Sequence, residues 1–153
     1  MKYYLSEYWM MMNSDNPETR EEGKEKWIES VSKYGPYFKT VRDKLPKRFM
    51  KEFDKNSQFH DFSIDNINIS SNENNTITID LNISYEESVY KLKLFDIKGL
   101  LINMPSTKNL FASKLTWGYT EFELNNNTWT MRVLCDLQCE LGFIFKKIGI
   151  EKL

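Results

Sequence analysis

The chain has 153 residues, enough for one domain with a real core, and its 41% hydrophobic and 14% aromatic content excludes a disordered protein. Its formal net charge of -1 argues against a dedicated nucleic-acid binder, which carries a basic surplus. No apolar run approaches the length of a membrane span, so we expect neither a nucleic-acid nor a membrane partner.

The amino-acid composition, the N-terminal sequence and the cysteine content together indicate a bacterial protein of the cytoplasm. Lysine, asparagine and isoleucine abound while alanine is rare, which is typical of an A/T-rich bacterial genome. Residues 1–12 lack the layout of a signal peptide, because Glu7 interrupts the apolar stretch and no small-residue cleavage site follows. The two cysteines, Cys135 and Cys139, do not form a disulfide framework, so we expect reduced thiols.

Helical patterns fill the first part of the chain, residues 1–56. Asn16 is a good N-cap, and Pro17 suits the first turn of the helix that follows it. Gly35 and Pro36 are predicted to end that helix. Four helices are predicted in all, at residues 6–13, 17–34, 37–44 and 46–54.

From residue 60 to residue 150 the apolar period changes to two, which predicts antiparallel strands. We expect a meander of about six strands, with a β-bulge at Asp65 and Asn66, a loop at residues 105–109, and a last strand bent at Gly142. One apolar face is predicted to carry Ile77, Ile79, Leu81, Trp129, Met131, Val133, Phe143 and Phe145. The whole chain, residues 1–153, is thus predicted to be a single α+β domain with its N-terminal helices packed on an antiparallel sheet.

A short helix after Leu45-Pro46, then Phe59-His60-Asp61 at the head of a strand, then a β-meander, resembles a set of uncharacterised bacterial domains of unknown function. Some small domains similar to these occur among presumed toxin-immunity proteins. The resemblance covers most of the chain, with phenylalanine at position 59 where leucine is commoner. It implies the fold described above and no established activity.

His60 and Asp61 stand where helix gives way to sheet, and His60 is the only histidine of the chain. An aspartate can orient a histidine as a general base. However, neighbours on a strand point to opposite faces, so Asp61 is not expected to hold the His60 ring. The favoured hypothesis is structural: both side chains bond backbone groups that become free at the changeover.

The second candidate site is the strand that contains Trp117, Tyr119, Glu121 and Glu123. Alternation sends these four side chains to one face, which Arg132 is expected to share. Aromatic rings beside carboxylates can bind a sugar or peptide, and paired carboxylates can do acid–base work. The competing interpretation, which is the favoured one, is cross-strand salt bridging on a solvated sheet face.

Two functional hypotheses follow. The leading one is a protein that binds another macromolecule, for example as an immunity-type or regulatory partner, through the surface of Trp117, Tyr119, Glu121, Glu123 and Arg132. The alternative is a hydrolase-like enzyme that uses this face or His60. Cys135 and Cys139 flank a turn without a nearby histidine, so no metal site and no cofactor is expected.

Overall fold

The structure, a computed structural model, describes residues 1–104 and 115–153. In these ranges it contains three α-helices followed by eight antiparallel strands in one sheet, which confirms the α+β class. The number of strands exceeds the six predicted. The loop predicted at residues 105–109 lies outside the described residues.

The helices are α1 (Ser6–Met12), α2 (Pro17–Val41) and α3 (Lys47–Lys55). The Asn16 side chain caps α2 as predicted, accepting bonds from the N–H groups of residues 18 and 19 at 2.9 and 3.1 Å. The predicted break at Gly35 and Pro36 is wrong, because α2 continues through Pro36. Tyr34 and Tyr37, one turn apart, both hydrogen-bond to the sheet, and these tertiary contacts offset the cost of proline inside a helix.

None of the helices in the described part of the chain is long and apolar enough to cross a membrane.

The order of the strands in the sheet is only partly that of a meander. Their bounds are β1 (Ser63–Ser71), β2 (Ile77–Tyr85), β3 (Ser88–Phe95), β4 (Gly99–Asn103), β5 (Leu115–Asn125), β6 (Thr128–Cys135), β7 (Glu140–Phe145) and β8 (Lys147–Lys152). The spatial order is β4-β7-β6-β5-β1-β2-β3-β8. Two hairpin runs, β1–β2–β3 and β5–β6–β7, are joined where β1 meets β5 over only two residue pairs.

The predicted last strand is two strands, since the chain changes its pairing partner at Lys146 and not at Gly142. Strand β7 pairs near one edge of the sheet and β8 forms the other edge, although one residue separates them. The sheet therefore curls back on itself. The bulge predicted at Asp65 and Asn66 is confirmed by a register shift between Ile64 and Asn66.

The concave face of the curled sheet is the core. Of the eight residues predicted to share an apolar face, all are buried except Ile77, which lies exposed at the start of β2. Helix α3 covers this face with Phe49, Met50 and Phe53. The N-terminal segment and part of α2 pack on the convex face of β5 and β6, and this face holds the candidate site.

Candidate binding surface

A bulge in β5 changes which residues share the convex face. The register of β5 with β6 shifts between Trp117 and Tyr119, so these two residues pair with Cys135 and Leu134. Trp117 consequently points into the core, where its exposed fraction is 1% and its Nε1 donates to Thr120 Oγ1 at 2.8 Å. The expectation that Trp117 lies on the binding face is wrong.

Glu121 does lie on the convex face, but it is fully buried. Its carboxylate accepts backbone N–H bonds from Lys2, Tyr3 and Tyr4, with Oε1 at 3.0, 2.5 and 2.7 Å and Oε2 at 2.9 Å from Lys2 N. Residues 2–4, called the strap below, therefore cover this carboxylate. Glu121 is held by the chain's own backbone and is not a free surface acid.

Glu123 and Arg132 form the ion pair that cross-strand salt bridging predicts. Arg132 Nη1 lies 2.6 Å from Glu123 Oε2 and 4.0 Å from Glu121 Oε2, and Lys2 Nζ lies 3.4 Å from Glu123 Oε1. Partial burial opposes ionisation of Glu123, yet the Arg132 hydrogen bond and charge, helped by Lys2, hold its pKa below the ordinary value. Glu123 is thus ionised and paired with two cations, which argues against a role for it as a general acid or base.

Tyr119, half-buried, belongs to an aromatic cluster that holds the strap. Its ring stacks on Tyr4 at a centroid distance of 5.0 Å and meets Trp27 edge-on at 4.8 Å. Burial raises the pKa of the Tyr119 hydroxyl, and the charge of Asp61 adds to this effect. Of the five residues predicted to form the surface, the structure brings together Tyr119, Glu121, Glu123 and Arg132, and it removes Trp117.

His60 and Asp61 lie in a turn, so the alternation argument about their side chains is wrong. His60 Nδ1 is 3.1 Å from Asp61 Oδ1, and both side chains are exposed. The backbone makes the connection to the sheet, since the Asp61 N–H donates to the Trp117 carbonyl oxygen at 2.8 Å. The expected structural role therefore belongs to the main chain of Asp61 and not to the two side chains.

The turn that carries His60 has an unusual backbone. Ser57, Gln58, Phe59 and Asp61 all have left-handed φ values, between 50° and 70°. Such conformations in residues other than glycine persist only where the surroundings impose them. Phe59 supplies this constraint, because its ring is fully buried in the core. Beside the turn lies a cavity of about 160 Å³ whose lining includes Trp9, Trp117, Tyr119, Leu134 and Asp136.

The two cysteines are free and buried, and they are bonded to one another through the backbone N–H of Cys135 and the carbonyl of Cys139 at 2.8 Å. The hydrogen bond with Cys139 and burial raise the pKa of the Cys135 thiol, which therefore stays protonated. Across residues 1–104 and 115–153 there is no group of three or more His, Cys, Asp or Glu side chains placed to hold a metal ion.

The structure exposes one apolar surface that sequence reasoning missed. Five large apolar side chains, here called the β4 surface, lie exposed at the edge of the sheet: Leu100, Leu101, Ile102, Met104 and Ile144. Within the described residues, β4 pairs only with β7, and no strand of these residues pairs with its other edge. The sequence did contain a signal for this surface, the three consecutive apolar residues 100–102. In an edge strand, such a run makes both faces of the strand apolar.

A shallow groove runs beside the β4 surface on the convex face. Gly142 stands between Arg132 on β6 and Leu101 on β4 in one row across the strands. Gly99 pairs with Ile144 in the next row. Because these glycines have no side chains, Leu101 and Ile144 wall a depression of about 210 Å³ that Arg132 borders.

No protein-family model matches this chain, and no curated protein matches its sequence significantly. The resemblance to small immunity-type domains therefore stays a prediction, and the geometry of the molecule itself supports the functional proposals.

Proposed function

We propose that this protein acts by binding another protein, and that the β4 surface is where the partner docks. The observation that carries the proposal is the edge of β4 that no strand of residues 1–104 and 115–153 pairs with, where Leu100, Leu101 and Ile102 lie exposed in succession. Proteins normally protect such edges with charges, proline or a covering element, because an open apolar edge invites pairing with another chain. An edge left apolar on both faces is the surface that a partner would cover.

The partner best suited to this surface contributes an extended segment with apolar residues. Its backbone would pair with this edge of β4, and alternate side chains would contact the two faces of the strand. On the convex face one of these side chains would enter the groove between Leu101 and Ile144. Arg132 borders that groove, and arginine beside an apolar depression is typical of interface centres.

One feature supports the cytoplasm as the setting of this interaction. Cys135 and Cys139 are free thiols buried in the core, as expected in a reducing compartment. The partner is then a cytoplasmic protein, with a role of the immunity or regulatory type.

The test is capture of the partner by the tagged full-length protein from the native host, followed by mass spectrometry. Leu101→Glu places a charge on the β4 surface and should abolish capture, since burying an unpaired carboxylate in an apolar interface is costly. The matched control is Ile69→Glu, which adds the same charge at an exposed isoleucine of β1. Failure of the wild type to retain any protein, or equal capture by both variants, contradicts the proposal.

The contact of His60 with Asp61 favours a second candidate function, hydrolysis with His60 as general base. Asp61 beside Nδ1 leaves Nε2 as the proton acceptor, next to an aromatic-walled cavity. The check is hydrolysis of p-nitrophenyl acetate by the wild type and by His60→Gln. Equal rates for the two proteins would exclude this use of His60.

A further inference from the structure

The contacts that hold the strap resemble those by which a protein binds a peptide. Glu121 accepts the N–H groups of three successive residues, Lys2, Tyr3 and Tyr4, while Ser30 Oγ donates to the Tyr3 carbonyl oxygen at 2.8 Å. A carboxylate with no exposed surface is thus satisfied by backbone donors alone, apart from Arg132 at 4.0 Å. Backbone groups of this kind are present in every peptide that can adopt the same bend.

Each side chain of the strap also meets a complementary group. Lys2 Nζ lies 3.4 Å from Glu123 Oε1. The Tyr3 ring contacts the rings of Tyr34 and Tyr37, with centroid distances of 5.2 and 6.5 Å. The Tyr4 ring packs among three aromatic rings, those of Trp27, Tyr34 and Tyr119. One cationic and two aromatic positions are therefore defined, in that order.

We infer that the convex face of β5 is a peptide-binding site, which the strap occupies and which accepts in trans a segment that carries a cationic residue followed by two aromatic residues and bends at those aromatic residues as the strap does. This deepens the proposed function, on which it rests, by naming a second contact for the partner protein. The site and the groove beside β4 lie on one face, and Arg132 contacts both. A partner segment bound here displaces the strap.

Competition with the strap determines how the site must be tested. The strap is covalently joined to the domain, so its effective concentration at the site is of millimolar order, and a free peptide binds the wild type weakly. The variant Tyr3→Pro/Tyr4→Pro removes two of the three N–H donors and both rings from the strap. Its site is then open to a ligand added in trans.

The probe is a fluorescent peptide of residues 1–5 with an acetylated amino end, titrated by fluorescence polarisation against both full-length proteins. We expect the proline variant to bind at least about tenfold more tightly than the wild type. Ser30→Ala in the proline variant should weaken binding by about two- to tenfold, because the bond to the third residue is lost. The matched control peptide carries proline at its third and fourth positions and should not bind.

A second measurement on the wild type keeps the test decisive if the proline variant does not fold. Excess unlabelled peptide should speed hydrogen exchange at the amides of Lys2, Tyr3 and Tyr4 and leave the amide of Leu92 in the core unchanged. Absence of peptide binding by a folded proline variant overturns the inference, and so does unchanged exchange in the wild type. If the wild type still captured a partner and Leu101→Glu did not, the proposed function would stand even though this inference had failed. The proposed function and the inference can therefore fail separately.

Discussion

The hydroxyl oxygen of Tyr34 accepts a hydrogen bond of 2.7 Å from the backbone N–H of Phe122. Strand β5 pairs with β6 along its length but with β1 only near residue 115, so the other edge of β5 is open at this point. One helical turn later, Tyr37 accepts from the N–H of Leu124 at 3.1 Å. Helix α2 therefore closes an open sheet edge with two hydroxyl groups where a neighbouring strand would supply carbonyls.

Removing the Tyr34 hydroxyl should destabilise the fold. Tyr34→Phe leaves the Phe122 N–H buried without a partner, which costs about 1–3 kcal/mol. Tyr37→Phe should cost less, since the Leu124 bond is longer and only partly buried. Urea midpoints measure both effects, with Tyr85→Phe as a control at an exposed tyrosine. A midpoint for Tyr34→Phe equal to that of Tyr85→Phe would show that the edge needs no acceptor.

The ion pairs of Glu123 should make stability depend on pH on the acid side. Because its pKa in the folded state lies below the ordinary 4.5, these contacts stabilise the fold above that pH. The stabilisation is lost as the pH falls through the folded-state value. Glu123→Gln should therefore lower the free energy of unfolding at neutral pH and reduce the difference in stability between neutral pH and pH about 3.

The control for the pH experiment is Glu73→Gln, at an exposed residue of the β1–β2 hairpin loop. It should leave the acid-side slope of the unfolding free energy as in the wild type. Identical slopes for all three proteins would mean that the ion pair of Glu123 and Arg132 makes no measurable contribution to the free energy of unfolding, which is the case for many surface ion pairs.

The fold class was predictable because it follows from local periodicity. The alternation at Ile79 and Leu81 fixes the buried face of β2, and Asn16 with Pro17 fixes the start of α2. The continuation of α2 through Pro36 was not predictable, since contacts with a strand almost ninety residues away override the local signal. Tertiary packing commonly wins over propensity in this way.

The candidate site was predictable only in part for a related reason. Strict alternation predicts that the side chains of Trp117 and Tyr119 lie on the same face of β5. The extra residue at the bulge moves every side chain beyond it to the opposite face. Gly118 was the signal, because glycine inside a strand often marks a bulge. Burial of Glu121 had no local signal at all, since its cover comes from residues 2–4 at the other end of the chain.

The bulge itself should depend on glycine at position 118. A Cβ there would lie 2.6 Å from the Leu134 carbonyl oxygen, which is backbone and cannot move aside cheaply. Gly118→Ala should therefore destabilise the protein by about 1–3 kcal/mol. Gly149→Ala in β8 is the matched control, since its Cβ would meet only ordinary contacts, the nearest at 3.6 Å. Equal unfolding midpoints for the two variants would show that the bulge can relax.

The turn at residues 57–61 should respond to changes of backbone preference and not to loss of side chains. His60→Ala removes an exposed ring and should change the unfolding free energy by no more than about 0.5 kcal/mol. Asp61 has φ of 70°, which asparagine tolerates and a β-branched residue does not. Asp61→Val should therefore cost about 1–2 kcal/mol while Asp61→Asn is nearly neutral. Thermal or urea unfolding of the three variants checks this, and a loss of stability in Asp61→Asn equal to that in Asp61→Val would assign the effect to the carboxylate and its contact with His60.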